Sequence, residues 1–258
     1  MSNYIDISTN IISKCYDFNE MDNILCKSRK DGVTKIINLS DSIQNSYNNF
    51  NEYVDFYDNE RYYYKEKFYS KLYSTAGINP LKSQTMHDQS YDCLKLLLEK
   101  KLVIGVGLTG LDYTLNISHQ QTCFKMHVEL SNETKKPLIF YYKDSINDII
   151  EILKKSNIKY IVNYFNSNEE DTKKLLDIDS YFCMSNLICD EKNKLVRQFI
   201  KKIPIEKILV GTIDTTRTNN QQMQMFNIFE KLSNIYNINK LEIEKIIYNN
   251  SNDVFNLI

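Results

Sequence analysis

Short β-branched and aromatic runs alternate along the chain with longer stretches whose apolar residues recur every three to four positions. The short runs are residues 4–7, 35–39, 71–75, 102–106, 137–141, 160–163, 181–185 and 207–210. Several, such as Ile208-Leu209-Val210 and Tyr160-Ile161-Val162, are apolar without alternation, as strands covered on both faces are. Between them, 92–101 sets Cys93, Leu96, Leu97 and Lys100 around one helical face. Likewise 118–134 aligns Cys123, Met126, His127 and Leu130, and 146–155 aligns Ile149, Ile150 and Leu153. Strand and helix patterns in alternation predict βα units and a parallel sheet. Eight of them fit an α/β fold, a closed (β/α)8 TIM barrel forming one domain over residues 1–258. The polar stretch 41–67 reads as a long helix with loops lying outside the barrel, and the tail 219–258 as two helices parted near 237–240.

Composition changes this picture little. Hydrophobic residues make up 42% of 258, enough for a core of this size. The 32 basic and 33 acidic side chains nearly cancel, so no global charge favours nucleic acid; a local patch stays open. No segment approaches the roughly 20 apolar residues of a membrane span, and Met1-Ser2-Asn3-Tyr4 runs into a strand rather than a leader. The expectation is a cytoplasmic or nuclear protein, neither secreted nor membrane-bound. Cys15, Cys26, Cys93, Cys123, Cys183 and Cys189 form no C-x-x-C pair and read as reduced thiols. Asn, Ile, Lys and Tyr are used heavily, so Asn-rich stretches carry little meaning.

Several segments are familiar in order. Tyr4-Ile5-Asp6-Ile7-Ser8-Thr9-Asn10 opens the chain; Gly77-Ile78-Asn79-Pro80 follows the third strand; Gly107-Leu108-Thr109-Gly110-Leu111-Asp112-Tyr113 covers the fourth. Then come Tyr141-Tyr142-Lys143-Asp144-Ser145, Val162-Asn163-Tyr164-Phe165, Cys189-Asp190-Glu191, and Ile203-Pro204 leading to Gly211-Thr212. The tail has Tyr248-Asn249-Asn250 before Val254-Phe255. In register, these resemble the TatD-type metal-dependent deoxyribonucleases. The resemblance implies a TIM-type barrel with its site at the C-terminal strand ends. It also implies a two-metal centre of His and carboxylate ligands that generates hydroxide and clamps the phosphodiester.

Carried over position by position, that centre is missing. The ligand positions fall on Ser8, Asn10, Leu108, Tyr141, Asn163 and Ile213, and two further motif positions on Asn79 and Gly211. Leu and Ile have no donor atom, Asn and Ser offer weak neutral oxygens, and a phenol must first lose a proton with pKa near 10. His87, His119 and His127 fall on predicted helices or helix starts, away from the strand ends. Tyr141, Tyr142 and Tyr164 are expected to fill the former pocket, with base stacking as the alternative.

Asp6, Asp112 and Asp144 are retained carboxylates whose ordinary role is capping backbone N–H groups. Lys143 stands where the family has an anion-holding Arg, as a point charge without the fork. Three functions follow as expectations. The first is a catalytically degenerate binding or assembly component, with no cofactor, whose partner is an unknown protein, a nucleic acid, another copy or an active homologue. The second is a working hydrolase with a rebuilt carboxylate site of Asp112, Asp144, Asp190 and Asp214 and Mg2+ as its ion. The third is nucleic-acid binding without cleavage. It requires the pairs Lys135-Lys136, Lys154-Lys155, Lys173-Lys174 and Lys201-Lys202 to gather on the C-terminal face.

Overall fold

The computed structural model describes residues 3–10, 18–57, 68–114, 118–212 and 221–257. Eight strands stand in sequence order in one sheet, each parallel to the next. They are β1 (Tyr4–Thr9), β2 (Val33–Asn38), β3 (Lys71–Ala76), β4 (Val103–Asp112), β5 (Leu138–Lys143), β6 (Tyr160–Val162), β7 (Tyr181–Met184) and β8 (Ile208–Val210). Helices α1 (Phe18–Lys30), α2 (Ile43–Tyr57), α3 (Ser90–Leu98), α4 (Gln120–Thr134), α5 (Ile146–Leu153), α6 (Glu169–Asp177) and α7 (Lys194–Ile200) connect them. Two more, α8 (Gln221–Tyr236) and α9 (Lys240–Phe255), close the chain. This is the (β/α)8 barrel that the alternation predicts.

The unalternating strands explain themselves in section. Ile5, Ile7, Ile37, Tyr73, Ile139 and Ile161 form the barrel interior. The opposite strand faces join Leu97, Phe124, Ile149 and Leu175 of the helices in a larger outer core. Helix α3 corrects the expected phase: its buried stripe is Ser90, Leu94, Leu97 and Leu98, while Leu96 faces solvent and Lys100 lies beyond the helix. Residues 43–57 also differ from expectation. They are not an appendage but the barrel's second crossover helix, laid on β3 and α3. Its polar residues work inward, with Asn49 donating to Ser40 Oγ at 2.8 Å and Ser46 Oγ accepting from Gly77 N–H at 3.3 Å. The remainder of that stretch, 58–67, lies outside the described residues.

Two polar fastenings complete the barrel. At the seam between β1 and β8, the fully buried Asp6 carboxylate accepts from Thr212 N–H at 3.0 Å and Thr212 Oγ1 at 2.5 Å. At the N-terminal end, called the floor, α9 acts as a plug: Val254, Phe255 and Leu257 belong to the interior cluster. Asn250 donates to the carbonyls of Ile205 and Ile208, both at 2.9 Å. Lys35 Nζ, inside the barrel, donates to Asn252 Oδ1 at 2.6 Å, and Lys159 Nζ donates to Asp253 O. These cations sit where the last carbonyls of α9 attract them. Burial, and then Lys71 alongside, lower the Lys35 pKa.

Hydrogen bonds to a charged acceptor are worth about 1.5–3 kcal/mol, against about 0.5–1.5 for neutral ones. Thr212→Val keeps the shape and removes one bond to Asp6, so it is expected to destabilise more than Thr34→Val, which loses a bond to the Tyr4 carbonyl. Urea unfolding of both variants checks this, and equal losses would refute the weight given to the seam.

Candidate functional site at the barrel mouth

The C-terminal strand ends form the mouth, where a TIM barrel carries its chemistry. Each motif position there has an identifiable structural occupation. Leu108, buried, points into the interior cluster with Ile7, Leu39 and Tyr73, and its N–H donates to Ser40 O at 2.8 Å. Glycine is required at 110, two residues on: its φ is 139°, and a Cβ would stand 1.9 Å from Tyr141 O. Asn79 caps the 3-10 turn Pro80–Thr85, its Oδ1 accepting from Leu81 N–H at 3.0 Å and from Tyr141 OH at 3.4 Å. At Gly211 a Cβ would lie 2.5 Å from Ser8 Cβ and 3.0 Å from Cys183 Sγ, so a carboxylate there does not fit while Asp6 holds the seam.

Strand alternation separates the three tyrosines. Tyr141 points inward, and its ring meets Tyr164 edge-on with centroids 6.1 Å apart. Burial, then the nearby Asp112 and Tyr164, push its phenol well above the usual range, so it stays protonated. Tyr142 points outward to Ser167 Oγ at 2.6 Å and does not crowd the pocket, contrary to expectation. Cys183, also interior, is held as a thiol well above its ordinary pKa by burial and then by Asp6.

The retained carboxylates do not converge. Asp112 folds back on its own turn, accepting from Thr114 N–H at 3.0 Å and Thr114 Oγ1 at 2.5 Å. Lys143 and Asp144 are exposed, and Asp144 takes a left-handed turn conformation into α5. Asp190 is exposed and accepts from Lys192 N–H at 2.9 Å. Ile213 and Asp214 lie outside the described residues. Among the described residues no three His, Cys, Asp or Glu side chains gather where a metal could sit. The donors at the mouth, Ser8, Asn10, Asn163 and a protonated Tyr141, do not suit the divalent centre that the resemblance implies.

The lysine pairs do not gather at the mouth either. Lys136 donates to carbonyls at the start of β4, on the floor, and Lys174 and Lys202 are taken up in ion pairs with Glu170 and Glu169 of the first turn of α6.

Two residues carry more than the sequence indicated. His127, expected away from the strand ends, is fully buried and braces the turn after β3: Nε2 accepts from Ile78 N–H at 2.9 Å, and Nδ1 donates to Cys123 O at 2.7 Å. Only its place on the apolar stripe of α4 hinted at this. Asn163, 1% exposed at the end of β6, has neither its Oδ1 nor its Nδ2 paired. A buried unpaired amide costs about 1–3 kcal/mol.

Burial lowers the His127 pKa to about 4, outweighing the bond to the Cys123 carbonyl that raises it. The unfolded chain, near 6.5, therefore binds the proton first as pH falls. Stability is complete above pH 6.5 and drops towards pH 4 by at most about 3 kcal/mol. Denaturation midpoints between pH 7 and 4.5 should flatten in His127→Gln, and an unchanged slope would refute the assignment. Asn163→Leu is expected to raise stability by about 1 kcal/mol or more by removing the unpaired amide; a lower melting temperature would show that the amide is used.

Comparison with known proteins agrees with this architecture. A family model for TatD related DNases matches residues 5–256. A Buchnera aphidicola (subsp. Baizongia pistaciae) protein named an uncharacterized metal-dependent hydrolase is 31% identical over 73% of this chain and 68% of its own length. A Cronobacter sakazakii protein named 3'-5' ssDNA/RNA exonuclease TatD is 24% identical over 80% of the chain and 76% of its own. Among solved structures, a TatD homologue from Escherichia coli superposes with a TM-score of 0.81 at 20% identity, covering 99% of this chain and 98% of the other. A TatD family hydrolase from Entamoeba histolytica gives 0.79 at 20% identity, with 98% of each chain covered. With its whole barrel matched in sequence and in shape, the chain belongs to the TatD-related DNase family.

Proposed function

We propose that this chain is a TatD-family barrel that has given up metal-dependent hydrolysis and serves as a binding or assembly component. The observation that carries the reading is the mouth itself. Its motif positions are taken up by an apolar core residue at 108, a turn cap at 79, a protonated phenol at 141 and a glycine at 211 with no room for a side chain. Relatives named metal-dependent hydrolase or exonuclease argue for ancestry, and the donor chemistry argues against the same reaction here. A rebuilt site of oxygen donors is the competing reading. Asp112 is committed to its own turn, and Asp144 and Asp190 are exposed, so that reading rests on Asp214.

The test is metal content and nuclease activity of the purified chain with Mg2+, Mn2+ and Zn2+ in turn. The expected result is no stoichiometric metal and no cleavage of single-stranded DNA in a protein that melts cooperatively. Bound metal with cleavage that Asp214→Ala abolishes would overturn the proposal and establish the rebuilt site.

A further inference from the structure

The floor carries a feature that the net charge hides. Three successive helix-to-strand turns, entering β4, β5 and β6, each hold a lysine pair: Lys100-Lys101, Lys135-Lys136 and Lys154-Lys155. The three strands are neighbours in the sheet. Two side-chain bonds tie the turns together: Lys136 Nζ donates to Lys100 O at 3.3 Å, and Asn132 Nδ2 donates to Ser156 Oγ at 3.0 Å. The pairs therefore form one arc along the rim of the floor.

A lysine at a helix C-terminus has an ordinary explanation, since it offsets the partial negative charge of the last carbonyls. Lys136 performs that task at the end of α3, while Lys135 and Lys154 are the C-cap residues of α4 and α5 with their side chains exposed. The Lys136 ammonium is drawn in against the carbonyls of Leu98, Lys100 and Val103, and burial lowers its pKa to about 8. The other five lysines are exposed, and none makes an ion pair among the described residues. The carboxylates within the same turns are few. Glu133 is held by Lys95 and Tyr91, which leaves Glu99 in the turns themselves, while Glu151 and Asp177 line a cleft with Lys154, and Asp148 and Glu151 line one with Lys155. Five exposed ammonium groups without an ion pair outnumber these carboxylates and leave the rim with an excess of positive charge that a polyanion relieves.

We propose that this arc is a docking surface for the phosphate backbone of single-stranded nucleic acid, separate from the mouth and independent of any catalysis there. The chemistry selects this partner over two others. A protein interface is dominated by apolar or aromatic anchors, and stable membrane anchoring adds apolar side chains or a lipid chain to a basic patch. None of the exposed large hydrophobic residues, Phe68, Leu81, Leu96, Tyr164, Leu187, Phe226 or Leu241, lies in the three turns. Lysines contact phosphate as point charges without a fixed fork. They suit a flexible chain of phosphates read without regard to sequence.

The experiment is fluorescence anisotropy of a fluorescein-labelled thirty-nucleotide oligo-dT with the full chain, in EDTA so that metal-dependent cleavage is off. Neutralising five phosphates on a single strand gives a slope of log K against log salt of about −3.5, a loss of roughly a hundredfold between 50 and 200 mM NaCl. The variant Lys101→Glu/Lys135→Glu/Lys154→Glu is expected to weaken binding at least tenfold with an unchanged circular dichroism spectrum and melting temperature. The control Lys192→Glu/Lys245→Glu, which reverses exposed charges after β7 and on α9, the helix packed against β8 and β1, is expected to bind like the parent. Absent binding at 50 mM NaCl, a flat salt dependence, or equal losses in the two variants would overturn the proposal. So would binding to phosphatidylserine vesicles without binding to oligo-dT, which would assign the arc to a membrane surface.

Discussion

The barrel depends on how its first and last strands are joined. A parallel sheet closes only if β1 meets β8, and here a buried carboxylate on β1 accepts both the backbone and the hydroxyl of Thr212 beyond β8. A carboxylate out of water is tolerated only when its lone pairs are matched, and three donors, with Ser8 N–H as the third, meet Asp6. The same closure brings Gly211 against Ser8 and Cys183, so the seam that holds the fold also removes the space for a ligand at that strand end. Closure of the barrel and the lack of room for a side chain at 211 share one geometric cause.

The rest of the mouth ties its motif positions into the fold. Leu108 extends the interior core upward, Asn79 becomes a turn cap, and Tyr141 spans the gap between Asn79 and Tyr164. Asn163 is less well accommodated: its amide is buried and finds no hydrogen-bond partner among the described residues. The His127 brace, by contrast, satisfies both ring nitrogens, and it fixes the turn that carries Asn79.

Helix ends place some charge along the barrel axis, although several of these groups are also paired locally, as Glu170 with Lys174 and Glu169 with Lys202 are. Helices running antiparallel to the strands place their C-termini at the floor, where lysines are favoured, and their N-termini at the mouth. There Glu169, Glu170 and Asp171 occupy the first turn of α6. A formal net charge of −1 therefore does not describe the lysine-rich turns of the floor.

Much of this was legible in the chain itself. Apolar strands such as Ile208-Leu209-Val210 could only be two-sided, and their alternation with helical spacing led to the barrel. The replaced ligand types at 8, 108, 141 and 163 could be read off in order, because side-chain chemistry needs no coordinates. What the sequence could not supply were relations between residues distant in it. Asp6 and Thr212 are 206 positions apart, and His127 and Ile78 are 49 apart. One alternation step sends Tyr141 inward and Tyr142 outward, and a small phase error in α3 turned Leu96 the wrong way. Period and residue type are local, so the sequence determined the architecture and which residue types stand at the motif positions. Closure, packing and the pooling of lysines on one rim are set by which strand ends meet in space, and only the tertiary structure decided those.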